Sequence, residues 1–303
     1  MSRLPRSAVV ALAILLAASC SRTGAETVTL EVVVLARSVA PGEPVRVVVT
    51  SPEPLLTLAG TFLGRNVSML RTEPRVEGAN DTREHWSGWA MVSLEQAPGP
   101  AVVEVEGKTP DGRRATGSLA TAVVPKSFAT EELSVASKYV TPPPEVEERL
   151  ARERAKLAAI YASRSPHPAP VEPFVRPVPG DPTSVFGTRR LYNGEPRSPH
   201  PGLDLRAATG DPVVAAGDGT VVLAEELYYS GNVVIVDHGG GLFTIYGHLS
   251  EIDVEEGQRV ARGETVGAAG ATGRVTGPHL HWGAKIGNEP FDPMALVDEA
   301  LFP

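Results

Sequence analysis

Five of the seven histidines of this 303-residue chain fall after residue 183, and their spacing invites a chemical reading. His200 and Asp204 stand four apart across Pro201-Gly202, which reads as a turn that lets both side chains converge without a helix. His279 and His281 stand two apart at the entry to a strand-like run. Side chains alternate along a strand, so both face the same side. His248 follows a further β-run, in Tyr246-Gly-His248-Leu. Two imidazoles with one carboxylate suit Zn²⁺, and three protein ligands leave a fourth position for water. Calcium and magnesium would ask for oxygen ligands instead. The region contains no HExxH, so the carboxylate base of helical zinc motifs is missing. A histidine can take that part, because its pKa lies near neutrality. Neither GxSxG nor GxxxxGK[ST] occurs there.

The segments His200-Pro-Gly-Leu-Asp204, Tyr246-Gly-His248-Leu-Ser and Gly277-Pro-His279-Leu-His281-Trp-Gly resemble, in order, the three motifs of the M23 (LytM/lysostaphin-type) zinc metallopeptidases. Ser184-Val-Phe-Gly-Thr-Arg189 supports the likeness, which runs from about Pro177 to Leu296. The resemblance implies zinc ligands His200, Asp204 and His281, one Zn²⁺ per domain. It further implies His248 and His279 as general base and stabiliser of the tetrahedral oxyanion, without saying which does which. It implies a zinc endopeptidase, with peptidoglycan cross-bridges as substrate, glycine-rich or D-alanyl. Two rivals remain: a non-enzymatic activator of cell-wall amidases and a structural envelope lipoprotein. Degenerate activators lack one or more of the five residues, and all five stand here.

These side chains need a scaffold, and the text from 183 to 303 supplies one. Short β-rich runs separated by glycines, such as Gly239-Gly-Gly241, predict an antiparallel β-sheet domain with an open groove. His238 reads as structural, at a turn, and Asn232 as a strand-start residue. Arg189 either lines the groove or forms a salt bridge. The run from Val254 to Val266 looks like a hairpin of biotinyl and lipoyl carriers, but no lysine stands at its tip. Upstream, residues 27–124 alternate β-branched runs with turns such as Pro41-Gly-Glu-Pro44, predicting an immunoglobulin-like sandwich. Trp86 and Trp89 are three apart, so one is expected in the core and the other partly exposed. Residues 125–182 read as a linker, with a helix at about 145–162 and then a proline-dense connector. His85 and His167 read as surface residues.

Residues 1–19 carry a basic start (Arg3, Arg6) and an apolar core from Ala8 to Ala18, too short to span a membrane. Cys20, the sole cysteine, follows at once and excludes an internal disulfide. The pattern resembles a lipoprotein signal. It implies lipidation of Cys20, a membrane anchor, and a bacterial envelope location facing the periplasm or cell wall. The sandwich offers a surface for envelope protein partners. A formal charge of -8 with no long basic run argues against nucleic-acid binding.

Overall fold

The computed structural model describes residues 26–72, 83–163, 165, 167 and 170–302. The signal segment and Cys20 lie outside them. Two units are seen, both built of β-strands.

In the N-terminal unit, Gly99–Lys108 alternates buried and exposed residues without a break, so Ala101, Val103 and Val105 point inward. Such a period-two pattern specifies a sheet with one dry face. One sheet runs in the order Val28–Thr29, Arg114–Val123, Gly99–Lys108, Thr57–Phe62, Arg65–Ser68. The other runs Glu31–Leu35, Pro44–Ser51, Glu84–Met91, Leu70–Thr72. Lettered along the chain, the first sheet runs A-G-F-C-C′ and the second A′-B-E-D, an order of the immunoglobulin kind. Val45, Val47, Val49, Phe62 and Trp86 fill the space between them.

Trp89 departs from expectation. It is as buried as Trp86, at 6% against 7% exposure. It does face away from the sandwich core, but the second unit covers that face, and Phe302 packs on the indole with ring centroids 5.8 Å apart. Ionic contacts reinforce the join. Arg37 donates to buried Glu43 at 2.8 Å and to Asp292 of the second unit at 2.6 Å, while Lys126 adds a contact to Glu43.

The elements that carry the site are, in chain order, β1 (Thr130–Leu133), α1 (Glu147–Ala162), β2 (Arg189–Tyr192), β3 (Gly202–Leu205), β4 (Gly219–Leu227), β5 (Gly231–Asp237), β6 (Leu242–Leu249) and β7 (Leu280–Ile286). The main sheet orders Pro182–Ser184, β3, β7, β6, β5, β4 and Arg259–Val260, with Glu289–Phe291 added on β7. On β7, Leu280, Trp282 and Ala284 point into a core shared with Tyr246, Val234 and Leu203. His281 and Lys285 therefore project from the opposite face. Helix α1 covers one end of that face, with Tyr161 edge-on to Phe243 and 4.3 Å beneath the Lys285 ammonium. His281 lies beyond its reach, roughly 13 Å further along the strand at about 3.3 Å per residue.

Helix α1 forms because Ala, Leu, Glu, Lys and Arg dominate it and Glu147 and Glu148 stand at its positive end. Glu148 pairs with Arg152 at 2.5 Å and Arg149 with Glu153 at 2.6 Å, each four residues apart. Glu153 also accepts the Tyr228 N–H, at 3.0 and 3.1 Å to its two oxygens, fastening the helix to the β4–β5 connection. The stretch read from sequence as linker is thus joined to the second unit at two places. β1 pairs in parallel with β2, and α1 lies on the main sheet.

Candidate metal and catalytic site

Strand pairing places the two halves of the ligand set side by side. On β3 and β7, Asp204 sits directly opposite His281, and on β6 Gly247 is opposite the same histidine. His200 is held just ahead of β3: its N–H donates to the Thr188 carbonyl at 2.9 Å, and its own carbonyl accepts the Gly187 N–H at 2.9 Å. The chain at Pro201-Gly202 is not the turn read from sequence, because Gly202 already opens β3. The two backbone bonds to 187–188 hold His200 in place just ahead of the strand. Gly202 serves by being small. A Cβ there would stand 2.7 Å from His281 Cε1 and 2.7 Å from the Trp282 carbonyl oxygen. Gly202→Ala is accordingly expected to push the His281 ring aside and weaken zinc binding by about 10–100-fold, the range for groups that orient ligands. Competition against a chromogenic chelator measures it.

His200 Nε2, Asp204 Oδ1 and His281 Nδ1 converge within 3.1 Å of one another, at 3.0 (His200 to Asp204), 2.8 (His281 to Asp204) and 3.1 Å (His200 to His281). The tautomers decide what this means. His200 Nδ1 faces the Val185 carbonyl at 3.2 Å. A carbonyl only accepts, so Nδ1 carries the hydrogen and Nε2 presents a lone pair. That lone pair points at a carboxylate oxygen and another imidazole nitrogen. Three ligand atoms that face one point in this way make a ligand set for a cation. Burial drives His200 down to about 4, so the ring is neutral and ready to coordinate. Burial by itself would raise Asp204, but its contacts with His200 and His281 outweigh that and hold the carboxyl below the usual range. Two nitrogens and one oxygen at this spacing fit Zn²⁺.

The remaining two histidines face the same point. His248 Nδ1 donates to the Thr272 carbonyl at 2.9 Å, and His279 Nδ1 donates to the Gly277 carbonyl at 2.8 Å. In each ring Nε2 is thereby left to face the site. His279 Nε2 stands 3.7 Å from Asp204 Oδ1, and the His248 and His279 rings lie 5.0 Å apart. Burial, then the neighbouring His281 and His279, press His248 down to about 3, leaving it neutral. His248 has φ 65°, a left-handed backbone uncommon for a side-chain-bearing residue, beside a register shift between Asn232 and Val234. That irregularity interrupts the register one residue before β6 ends and re-aims the imidazole, the usual consequence of a bulge.

One participant escaped the sequence reading. Arg190, not Arg189, touches the site: its guanidinium donates to Asp204 Oδ2 at 2.6 Å and to the Ser184 hydroxyl at 3.0 Å, while Arg189 is exposed. Asp204 is thus gripped on one oxygen by a buried cation, leaving the other for the ligand cluster. The adjacent pair of arginines on a β-run was the available signal, since alternate residues must face opposite sides. His238 is structural, its ring bridging the Asp218 carbonyl and the Thr244 hydroxyl at 2.7 Å each. Asn232 is the second residue of β5, its N–H donating to the Thr272 hydroxyl at 3.0 Å.

Residues 198–293 match the sequence profile of Peptidase family M23. Peptidoglycan DD-endopeptidase ShyA of Vibrio cholerae is 44% identical over 113 residues, 37% of this chain and 26% of that protein. DD-carboxypeptidase/endopeptidase Mpg of Neisseria meningitidis is 41% identical over 98 residues, 32% of this chain and 23% of that one. The match therefore spans about a quarter of these curated relatives. A solved structure described as a peptidase M23 of Pseudomonas aeruginosa superposes with a TM-score of 0.63 at 30% identity, covering 86% of this chain and 95% of the other. That likeness extends well past the three histidine motifs, through nearly the whole of both chains, and the chain belongs to peptidase family M23.

Proposed function

We propose that the protein is a zinc-dependent endopeptidase that hydrolyses peptide cross-links of bacterial peptidoglycan. The observation that carries this reading is the convergence of His200 Nε2, Asp204 Oδ1 and His281 Nδ1 within 3.1 Å. Beside them, two further imidazoles are locked by backbone carbonyls with Nε2 free. The DD-endopeptidase names of its relatives favour peptidoglycan as substrate and an envelope location.

His200, Asp204 and His281 would hold the zinc, which when bound would supply an acidified water and a Lewis acid for the scissile carbonyl. The chain's own groups do the rest. One neutral Nε2, of His248 or His279, accepts the proton of the attacking water and delivers it to the departing amine. The other, once protonated at Nε2, donates to the carbonyl oxygen as charge builds there. Arg190 fixes the Asp204 carboxylate so that only Oδ1 is available to the metal. The sandwich is a rigid attachment through Trp89 and Arg37, offered to envelope protein partners, and Cys20 is the proposed lipid anchor.

The test is zinc analysis and mass spectrometry of digested sacculi, wild type against His279→Ala. New peptide termini are expected with wild type alone. If wild-type protein holds zinc yet releases no termini, and stimulates a cell-wall amidase as well as the variant does, it is an activator and the enzymatic reading fails.

A further inference from the structure

Arg274 lies on the loop that joins the two histidine-bearing regions. Its backbone N–H donates to the Tyr229 carbonyl at 2.9 Å. Its guanidinium carbon stands 4.8 Å from the Tyr192 ring centroid and 4.7 Å from that of Tyr229. Among the described residues no carboxylate pairs with it. Nearby arginines are engaged: Arg190 with Asp204 and Ser184, and Arg197 with Glu195 and the Val140 carbonyl. A guanidinium held against two aromatic rings keeps its orientation while its N–H edge stays available, and that edge is a fork matched to a carboxylate.

Its position relative to the chemistry follows from the same contacts. Two residues before Arg274, the Thr272 carbonyl orients His248. Five residues after it stands His279, whose strand bridge to Gly270 closes the loop. Tyr192 is two residues beyond Arg190 on β2, hence on the same face and roughly 7 Å from the arginine that grips Asp204. An extended peptide advances about 3.3–3.6 Å per residue. Arg274, tied to the supports of His248 and His279 and to the strand of Arg190, is therefore placed beside the path a substrate chain through the site would follow.

We propose that Arg274 is a specificity residue that binds a free carboxylate next to the scissile bond, so that the enzyme takes anionic D,D-cross-links and not neutral glycine bridges. The inference rests on the endopeptidase reading and narrows it. A D,D bond made to a side-chain amine centre leaves that centre's carboxyl free, two bonds from the scissile nitrogen, where such a fork would meet it. The terminal carboxylate of the peptide stem is the other source of the same chemistry.

The test uses the full zinc-loaded protein and an uncleavable cross-linked dimer, its scissile amide replaced by a methylene-amine, with binding read by calorimetry. Three forms are compared: all carboxylates free, the amine-side carboxyl amidated, and the stem-terminal carboxyl amidated. Wild type is expected to lose about 10–100-fold in affinity on amidation of the amine-side carboxyl, as for a charge-assisted hydrogen bond. Arg274→Gln should bring that ratio close to one with zinc content unchanged, and Arg274→Lys should restore part of it. The proposal is overturned if wild type binds the amine-side amide as well as the free form, if only the stem-terminal amide matters, or if Arg274→Gln keeps the wild-type ratio. Cleavable dimers assayed in parallel separate the two readings. Arg274-dependent discrimination in binding with no cleavage of any dimer would sink the endopeptidase assignment and leave the carboxylate site standing.

Discussion

Replacing His281 by alanine is expected to empty the metal site and lower peptidoglycan hydrolysis by more than about 100-fold, beyond the loss seen when only a ligand's supporting group is removed. The reason is geometric. His281 meets both other ligands, at 2.8 Å to Asp204 and 3.1 Å to His200. Its loss breaks every close contact but one. The fold should survive, because its side chain projects from the groove face of β7 and contributes nothing to the core behind it. Arg190→Ala is the graded counterpart. All three ligands remain, but Asp204 loses the cation on Oδ2, and zinc affinity should fall by about 10–100-fold. Metal analysis after dialysis against a chelator series, beside muropeptide chromatography, distinguishes the two. Full zinc occupancy in His281→Ala would refute the ligand assignment.

The adjacent residue should behave in the opposite way. Trp282 is wholly buried on the other face of β7, packed with Tyr246, Leu203 and Leu280. Trp282→Ala removes the largest fully buried side chain and is expected to cost about 3–5 kcal/mol. In a protein of this size that lowers Tm by roughly 5–8 °C. Activity of the fraction still folded should be little affected. Trp282→Phe should be much milder, about 1–2 kcal/mol, because the indole N–H has no hydrogen-bond partner to lose. Calorimetric unfolding of the three proteins checks the order. A Trp282→Ala protein as stable as wild type would mean that this core repacks freely.

The contrast explains what was legible before any coordinates. His279 and His281 share a side because strand alternation is a local rule, and β7 obeys it. His200 and Asp204 meet at 3.0 Å as their spacing suggested, though Gly202 opens β3 and no turn carries them there. Less visible was anything set by which strand lies beside which. Arg190 matters because β2 turns that residue, and not Arg189, toward a carboxylate 14 positions away. Trp89 was expected partly exposed because alternation points it out of the sandwich, and only docking of the second unit makes that outer face interior. The strand at 130–133 reads as linker since Thr-Glu-Glu-Leu has neither the apolar character nor the length of an ordinary strand. Pairing, not propensity, creates it.

That short strand bears on how the protein can be cut apart. β1 is hydrogen-bonded along all four residues of β2, the strand that carries Arg190. A fragment beginning at residue 183, the boundary that the histidine motifs suggest, would strip this partner and leave the N–H and C=O groups along one side of β2 unmatched. Bare strand edges recruit other chains. Such a fragment is therefore set up for edge-to-edge association or exchange of strands between copies, whereas one that begins ahead of residue 130 brings its own edge protection.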